Sequence, residues 1–306
     1  MDKFDLSSDG MIQVPDGFRS GYVAIAGLPN SGKSTFLNAV LGSHLSIATH
    51  KAQTTRHRIT GIHSTDKTQV VFLDTPGMLT PKYKLHESMM RAVERSLNDA
   101  DMILLLADPH DLPEKEMLEF IQKYRNKPVL LAVNKKDVRK EETITKALGF
   151  LTEELSPAAT FVMSAVTKEG LEEVLAEIQS RLPEGPPFYP PDQISEYPQR
   201  FFAAELIREQ VFLQYHEEIP YSVTVQVVHY EERDDLDYID AEIVVNRTSQ
   251  KGIIIGKKGS ALKKLGTKAR ESIEEFIGKK VYLNLHVKVR EKWRDKDGFI
   301  RSFGYE

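Results

Sequence analysis

YVAIAGLPNSGKST, from Tyr22 to Thr35, decides how this chain is read. Tyr22 to Ala26 has the character of a short buried strand, and it runs straight into Gly27. From Gly27 to Ser34 the glycine, lysine and serine fall at the spacing GxxxxGKS, a loop that cradles nucleotide phosphates. The physical basis is simple. Glycines let successive backbone N–H groups turn inward at a helix N-terminus, where the partial positive charge favours phosphate. Lys33 supplies a mobile cation for the β- and γ-phosphates, and the Ser34 hydroxyl is a ligand for Mg²⁺. Asn30, Ser31, Gly32 and Thr35 complete the candidate loop. Phe36 to Leu41 continues the helix that starts inside it.

Working outward, Ile59–Ile62 and Gln69–Leu73 flank the turn-like Ser64–Lys67 and predict a hairpin. Met102–Ala107, Val129–Val133 and Thr160–Met163 are further short apolar runs. Helical patterns fill the gaps at His86–Leu97, Glu114–Tyr124, Glu141–Leu148 and Leu171–Gln179. Strands alternating with helices predict an α/β domain with a mostly parallel sheet covered on both faces and an antiparallel edge.

Two more loops then gain meaning from their position. Asp74 ends a predicted strand and opens DTPG, where a carboxylate can hold Mg²⁺ through water and the Gly77 amide can sense a γ-phosphate. NKKD, Asn134 to Asp137, follows the strand Val129–Val133, at the sheet edge where α/β ligands bind. An aspartate at 137 accepts two hydrogen bonds from the N1–H and 2-amino group of guanine. Adenine lacks that donor pair and would leave the carboxylate unpaired. Asn134 ties the loop together, the stem of Lys135 can lie over the base, and Ser164-Ala165 offers a backbone N–H to the guanine oxygen.

The segment Leu182–Pro191, LPEGPPFYPP, holds five prolines and reads as a stiff linker. Beyond it come a predicted helix (Arg200–Phe212), strands Ser222–Tyr230 and Tyr238–Val245, and a helical turn at Gln250–Ile255. The loop GKKG, Gly256 to Gly259, comes next, then a helix to Ile277 and the strand Val281–Val289. GxxG is the spacing that clamps about four nucleotides in one class of small domain. Gly256 and Gly259 allow a phosphate backbone to approach, and Lys257 and Lys258 neutralise it. Charge is distributed to match. Ser249 to Arg301 carries 15 Lys or Arg against 6 Asp or Glu, whereas Glu231 to Glu242 carries seven acids and one Arg. The formal net charge of −4 hides this polarity.

GLPNSGKST, DTPG, NKKD and SA in this order resemble the guanine-nucleotide domain of translation-factor-related GTPases. With KAQTTRHRI (Lys51–Ile59), PYSVTV (Pro220–Val225), the linker position and RSFGY near the end, nearly the whole chain resembles the Era family of bacterial ribosome-assembly GTPases. The resemblance implies a tail over 1–19, a GTPase domain over 20–181, a linker over 182–191, and over 192–306 a smaller α+β domain of the type II KH class with a tail. It implies GTP and GDP as ligands with Mg²⁺, and K⁺ held beside the phosphates by Asn30. It places the magnesium-ligating threonine of the first switch in Thr54-Thr55, with Thr55 taken and Thr54 second. The implied catalytic set is Lys33, Thr55 and Gly77, and the implied metal set is Ser34, Thr55 and Asp74. Met78 stands where small GTPases often carry a water-orienting glutamine, and a thioether cannot activate water. Hydrolysis is expected to be slow without RNA or a ribosomal partner.

The resemblance also assigns the GKKG region to RNA: Gly252, Ile254, Gly256, Lys257, Lys258 and Gly259 as the core, with Lys263 and Lys264 as weaker candidates. The implied partners are the 3′ end of 16S ribosomal RNA and the small (30S) ribosomal subunit. The implied location is cytoplasmic, with peripheral contact at the inner membrane. Trp293 has two readings, stacking on a base or packing the terminal segment. No cysteine is present, which excludes disulfides, thiolate metal sites and cysteine nucleophiles. No stretch approaches the ~18 apolar residues of a membrane span, and the N-terminus lacks the apolar run of a signal peptide. A membrane-associated GTPase, or one serving RNA modification, is the alternative, and the lack of a second catalytic constellation weighs against the latter.

Overall fold

A computed structural model describes residues 15–49 and 51–305. Most of the expected N-terminal tail therefore lies outside the described residues. The chain packs as two units. The first comprises the chain to Ala48, Thr55–Leu79 and Met90–Glu196; the second comprises Thr49–Thr54, Thr80–Met89 and the chain from Tyr197.

In the first unit six strands form one sheet in the order β2-β3-β1-β4-β5-β6. These are β1 (Arg19–Ala26), β2 (Ile59–Ser64), β3 (Thr68–Asp74), β4 (Met102–Ala107), β5 (Val129–Val133) and β6 (Ala159–Val162). All pair in parallel except β2, which joins β3 as the expected antiparallel hairpin. Every residue of β4 and β5 is buried, the signature of a sheet covered on both faces. On one face the side chains of Ala24, Leu73, Ile103 and Leu131 meet Val93 and Leu97 of α2 (Lys84–Asp99) and Leu118 and Ile121 of α3 (Lys115–Gln122). Leu151 of α4 (Glu141–Leu155) closes that layer. The helices α1 (Lys33–Leu41) and α5 (Leu171–Arg181) lie against β3.

The proline-rich segment is part of this unit. Proline has no N–H, so Pro183 and Pro186 bring carbonyls that need donors and no amides that need acceptors. Ser20 donates its amide to Pro183 and its hydroxyl to Pro186 at 2.7 Å. Gln69 satisfies the next stretch of backbone: Oε1 accepts from the amides of Phe188 and Tyr189, and Nε2 donates to the Tyr189 carbonyl. Ile62 N then donates to Ile194 O, Ser195 Oγ to Thr60 O, and Thr60 Oγ1 to Glu196. The segment is an extended strap along the sheet edge, and the packing boundary falls between Glu196 and Tyr197.

In the second unit β7 (Thr224–Glu231) runs antiparallel to β8 (Asp237–Val245), which runs parallel to β9 (Val281–Val289). Helices α6 (Gln199–Gln214), α7 (Thr248–Ile255) and α8 (Ser260–Ile277) supply Leu206, Ile207, Val211, Ile254, Leu265, Ala269 and Ile273 to a core shared with Ile239, Ala241 and Ile243 of β8. Strand β7 begins two residues later than its apolar pattern suggests. Pro220 opens a short 3₁₀ turn to Ser222, whose hydroxyl donates to Glu218 O. Trp293 is fully buried, donates Nε1 to Ser222 O at 2.9 Å and packs on Phe303 and Tyr305. Of its two readings, the structure shows the packing one. The short helix α9 (Asp297–Ser302) lies in the same terminal segment.

Candidate functional site

The loops after β1, β3, β4, β5 and β6 leave the carboxyl ends of their strands at one edge of the first sheet. That is the place where ligands bind in folds of this kind. Thr55 reaches it because β2 pairs with β3 so that Ile59 lies opposite Asp74.

Three oxygens expected to hold magnesium meet here. Ser34 Oγ donates to Asp74 Oδ2 at 2.9 Å and lies 2.8 Å from Thr55 Oγ1. Thr55 is buried, and it is this threonine, not Thr54, that comes to Ser34. A fourth oxygen has no motif to announce it: Ser46 Oγ donates to the same Asp74 oxygen at 2.9 Å. Ser46 is positioned by Asn38, which bonds both its amide and its carbonyl. Asp74 Oδ1 is buried without a hydrogen-bond partner among the described residues. Hydroxyls and one carboxylate with a spare buried oxygen fit a hard divalent cation. Among the described residues no cluster of three or more His, Cys, Asp or Glu offers a rival metal site.

Lys33 sends its ammonium to the carbonyls of Leu28 (2.8 Å) and Gly27 (3.2 Å). Burial lowers its pKa to about 8, against the opposing pull of Asp74. Burial likewise raises Asp74, opposed by Lys33 and by the Ser46 and Ser34 hydroxyls. Neither group thus finds enough opposite charge within the protein to offset its burial. Met78 N donates to Gly27 O at 3.0 Å, which fastens the DTPG loop, and with it Gly77, to the phosphate loop. The Met78 side chain is fully buried in the core.

The base-recognition loops are tied to the phosphate loop by one residue. Asn134 Nδ2 donates to Ser31 O at 2.8 Å, and its Oδ1 accepts from Ala165 N at 2.9 Å. The amide of Ala165, expected to face a base oxygen, is therefore engaged with Asn134. Gly32 is required at this crossing: its φ is 100°, and a Cβ would lie 2.1 Å from Asn134 Nδ2. Ser164 Oγ donates to Asp137 Oδ1 at 2.6 Å, which aims the carboxylate. Behind the loop stands a brace that sequence reasoning missed. Asp108 takes Lys135 at 2.8 Å and a two-pronged contact from Arg139 at 3.0 and 2.7 Å. Burial alone would raise the Asp108 pKa, but these partners hold it at about 2. Asn30, the residue expected beside potassium, is exposed with a φ of 63°.

The second loop is built differently. Gly256 ends α7 at φ 70°, ψ −179°, and a Cβ there would lie 2.6 Å from Ala261 Cβ. Gly259 adopts φ 78°, with Lys257 and Lys258 exposed between the two glycines. Gly252 is exposed too. Ile254 is fully buried in the unit's core, and Tyr215 donates its hydroxyl to the Ile254 carbonyl. The isoleucine that reaches solvent is Ile253, 52% exposed. Helical spacing within α7 explains the exchange: Ile254 faces the core it shares with Leu265 and Ala269 of α8, and its neighbour Ile253, about 100° around the helix, does not. A groove of about 390 Å³ opens between α8 and β9, lined by Leu262, Lys263, Arg270, Leu283 and Leu285 and entered at Gly259. The sequence pointed to Lys263 weakly and to the others not at all.

Together the loops and the groove define the class: a P-loop guanine-nucleotide domain followed by a KH domain. The 50S ribosome-binding GTPase family model matches residues 22–135, and the KH domain model matches residues 218–294. The chain is 44% identical over 295 residues to the chloroplastic GTPase ERA-like of Arabidopsis thaliana, covering 94% of this chain and 69% of that one. It is 42% identical to GTPase Era of Carboxydothermus hydrogenoformans, over 94% of this chain and 98% of that one. A crystal structure of Era with MgGDPNP and nucleotides 1506–1542 of 16S ribosomal RNA superposes at a TM-score of 0.89 with 37% identity, covering 94% of this chain and 99% of that one. The chain belongs to the Era family of GTPases.

No helix among the described residues is long and apolar enough to cross a membrane.

Proposed function

We propose that this chain is a GTP-driven switch that binds the 3′ end of 16S ribosomal RNA through its GKKG groove and serves maturation of the small ribosomal subunit. One observation carries the reading most: a full set of guanine-nucleotide loops and a basic, glycine-entered groove occur in one chain. The Era relative solved with MgGDPNP and the 3′-terminal nucleotides supports the choice of RNA.

In this reading Asp137, aimed by Ser164, selects guanine by its paired N–H donors. Lys33 leaves its carbonyl partners for the β- and γ-phosphates. Ser34, Thr55 and Asp74 would hold Mg²⁺, which would neutralise charge on the phosphate oxygens. Catalysis rests on positioning and charge stabilisation, with Lys33 and the Gly77 amide facing the γ-phosphate. No glutamine stands at the position after Gly77, so water is oriented by backbone and substrate. Asn30, exposed beside the phosphate loop, is the residue to hold K⁺, whose charge would do the work of an arginine finger.

The test is a titration of the full chain with a short single-stranded oligonucleotide of the 16S 3′ end, in GDP and in a nonhydrolysable GTP analogue. Tighter binding in one nucleotide state supports the switch. Equal affinity in both states and in the nucleotide-free protein overturns it, and absence of binding in all three removes the RNA assignment.

A further inference from the structure

Ser46 belongs to no motif, yet the first unit places it with care. Ser34 and Asn38 stand at i and i+4 on α1, and so share one face of that helix. Gly42 ends the helix in the left-handed region, at φ 62°, where glycine carries no Cβ penalty. Asn38 then spends both ends of its amide on the chain beyond. Its Oδ1 accepts from the backbone N–H groups of Leu45 (3.0 Å) and Ser46 (2.9 Å), and its Nδ2 donates to the Ser46 carbonyl at 2.8 Å. Leu45 and Ile47 are buried on either side, and Ser46 itself is fully buried. A serine held by both backbone groups has its hydroxyl aimed by the fold. That hydroxyl donates to Asp74 Oδ2 at 2.9 Å.

The contact loads Asp74 unevenly. Oδ2 already takes the Ser34 hydroxyl at 2.9 Å, so it accepts two hydroxyls. Oδ1 is buried and accepts none among the described residues. Were Ser46 there only to satisfy the carboxylate, the bare oxygen would be the one to need it, because a buried acceptor without a partner is destabilising. Two donors on one oxygen instead fix the rotation of the carboxylate and leave the other oxygen open in a set direction. The two donors are not equivalent. Ser34 Oγ also lies 2.8 Å from Thr55 Oγ1 and is itself one of the oxygens assigned to the cation. Ser46 stands outside that set and gives its hydroxyl to Asp74.

We propose that Ser46 is a positioning residue for Asp74: it holds Oδ2 so that Oδ1 stays open to magnesium or to water on it. It acts through the carboxylate and touches neither nucleotide nor cation. Groups that orient a metal ligand from behind commonly change metal affinity by roughly 10–100-fold when removed. Asn38 ties this hold to α1, the helix that also carries Lys33 and Ser34. The carboxylate of the DTPG loop is thereby kept in register with the phosphate loop. This rests on the reading of Ser34, Thr55 and Asp74 as the magnesium-holding set.

The experiment measures the Kd of fluorescent GDP on the full chain across a Mg²⁺ titration and in excess chelator. The chains compared are the unmodified one, Ser46→Ala, Asp74→Ala and the double variant. Ser46→Ala is expected to raise the Mg²⁺ needed for half-saturation roughly 10-fold, the low end of the range for a group behind a metal ligand. In chelator its GDP Kd stays within about twofold of the unmodified chain, the margin of an independent site. That result also shows that the variant is folded. In the Asp74→Ala background the same change adds less than about twofold, because nothing is left for Ser46 to position. A packing role would instead cost the same factor in both backgrounds. An unchanged Mg²⁺ requirement in Ser46→Ala, an equal loss of GDP affinity in chelator, or additive losses in the double variant each overturn the proposal. An unmodified chain whose GDP Kd ignores Mg²⁺ overturns the magnesium reading itself.

Discussion

The two glycine loops solve the same electrostatic problem in opposite ways. At Gly27–Ser34 the polar groups are buried and already bonded to one another: Asn134 spans two loops, Ser34 binds Asp74, and Lys33 is parked on backbone carbonyls. At Gly256–Gly259 the lysines are exposed, and the pocket beside them is an open groove with leucines on its walls. A closed site fixes the identity of a small ligand through groups that suffer if left unpaired. An open groove gains most of its affinity from phosphate charge and tolerates variation in what it holds.

That contrast is sharpened most by Asp137→Asn. The amide keeps one acceptor and turns the other oxygen into a donor, so losing one charged hydrogen bond at roughly 1.5–3 kcal/mol is expected to weaken GDP binding by about 100-fold. Xanthine nucleotide, whose base presents the complementary pattern, should bind the variant better than guanine nucleotide. Calorimetry with both nucleotides checks this, and an unchanged GDP Kd would mean the carboxylate does not read the base.

The open groove should respond in a different currency. Changing Lys257 and Lys258 together to Glu is expected to lower RNA affinity about 30-fold at moderate salt. The slope of log K against log salt should become shallower by roughly 1.4, at ~0.7 per single-strand phosphate contact. GDP affinity should not move. A salt slope that stays the same would place the phosphate contacts elsewhere.

Two adjacent isoleucines separate structure from recognition within the second site. Ile254→Ala is expected to destabilise the second unit by about 2–5 kcal/mol, the usual range for emptying a packed core position. Ile253→Ala should cost under about 0.5 kcal/mol in stability, as surface changes do, and weaken RNA binding instead. Thermal unfolding beside an RNA titration distinguishes them, and equal stability losses would break the assignment.

The smallest effect concerns Asp108. Its carboxyl titrates at about 2 in the folded chain, below the ordinary value of 3.8. A depressed acid contributes stability above its unfolded pKa and loses it as pH falls toward the folded one. The contribution of the Asp108 brace should therefore fade between about pH 4 and pH 2, and Asp108→Asn should flatten that part of the unfolding curve. A parallel curve for the variant would remove the brace from the account.

The first unit was legible because its strands are apolar runs that end at named loops, so spacing alone brought Gly27, Asp74, Asn134 and Ser164 to one sheet edge. The second unit was legible in its order of elements, yet its side chains were not. Ile254 and Ile253 differ by one helical position, which a motif match does not resolve. Glu205 and Arg208 look like an ordinary i, i+3 surface pair until the fold buries them. Ser46 and Asp108 carry no motif, because each acts on a carboxylate or a cation that a distant loop delivers. The strap was misleading for a chemical reason. Prolines suggest an independent spacer, but the partner that fixes them, Gln69, sits more than a hundred residues away.

Met78 has a consequence for what its position can carry. Its side chain lies in the same dry cluster as Val93 and Leu105. A glutamine placed there would have to bury a carboxamide, at a cost of about 1–3 kcal/mol without a partner, before it could ever face water. The exchange that would supply a water-orienting glutamine after Gly77 is thus opposed by the stability of the domain.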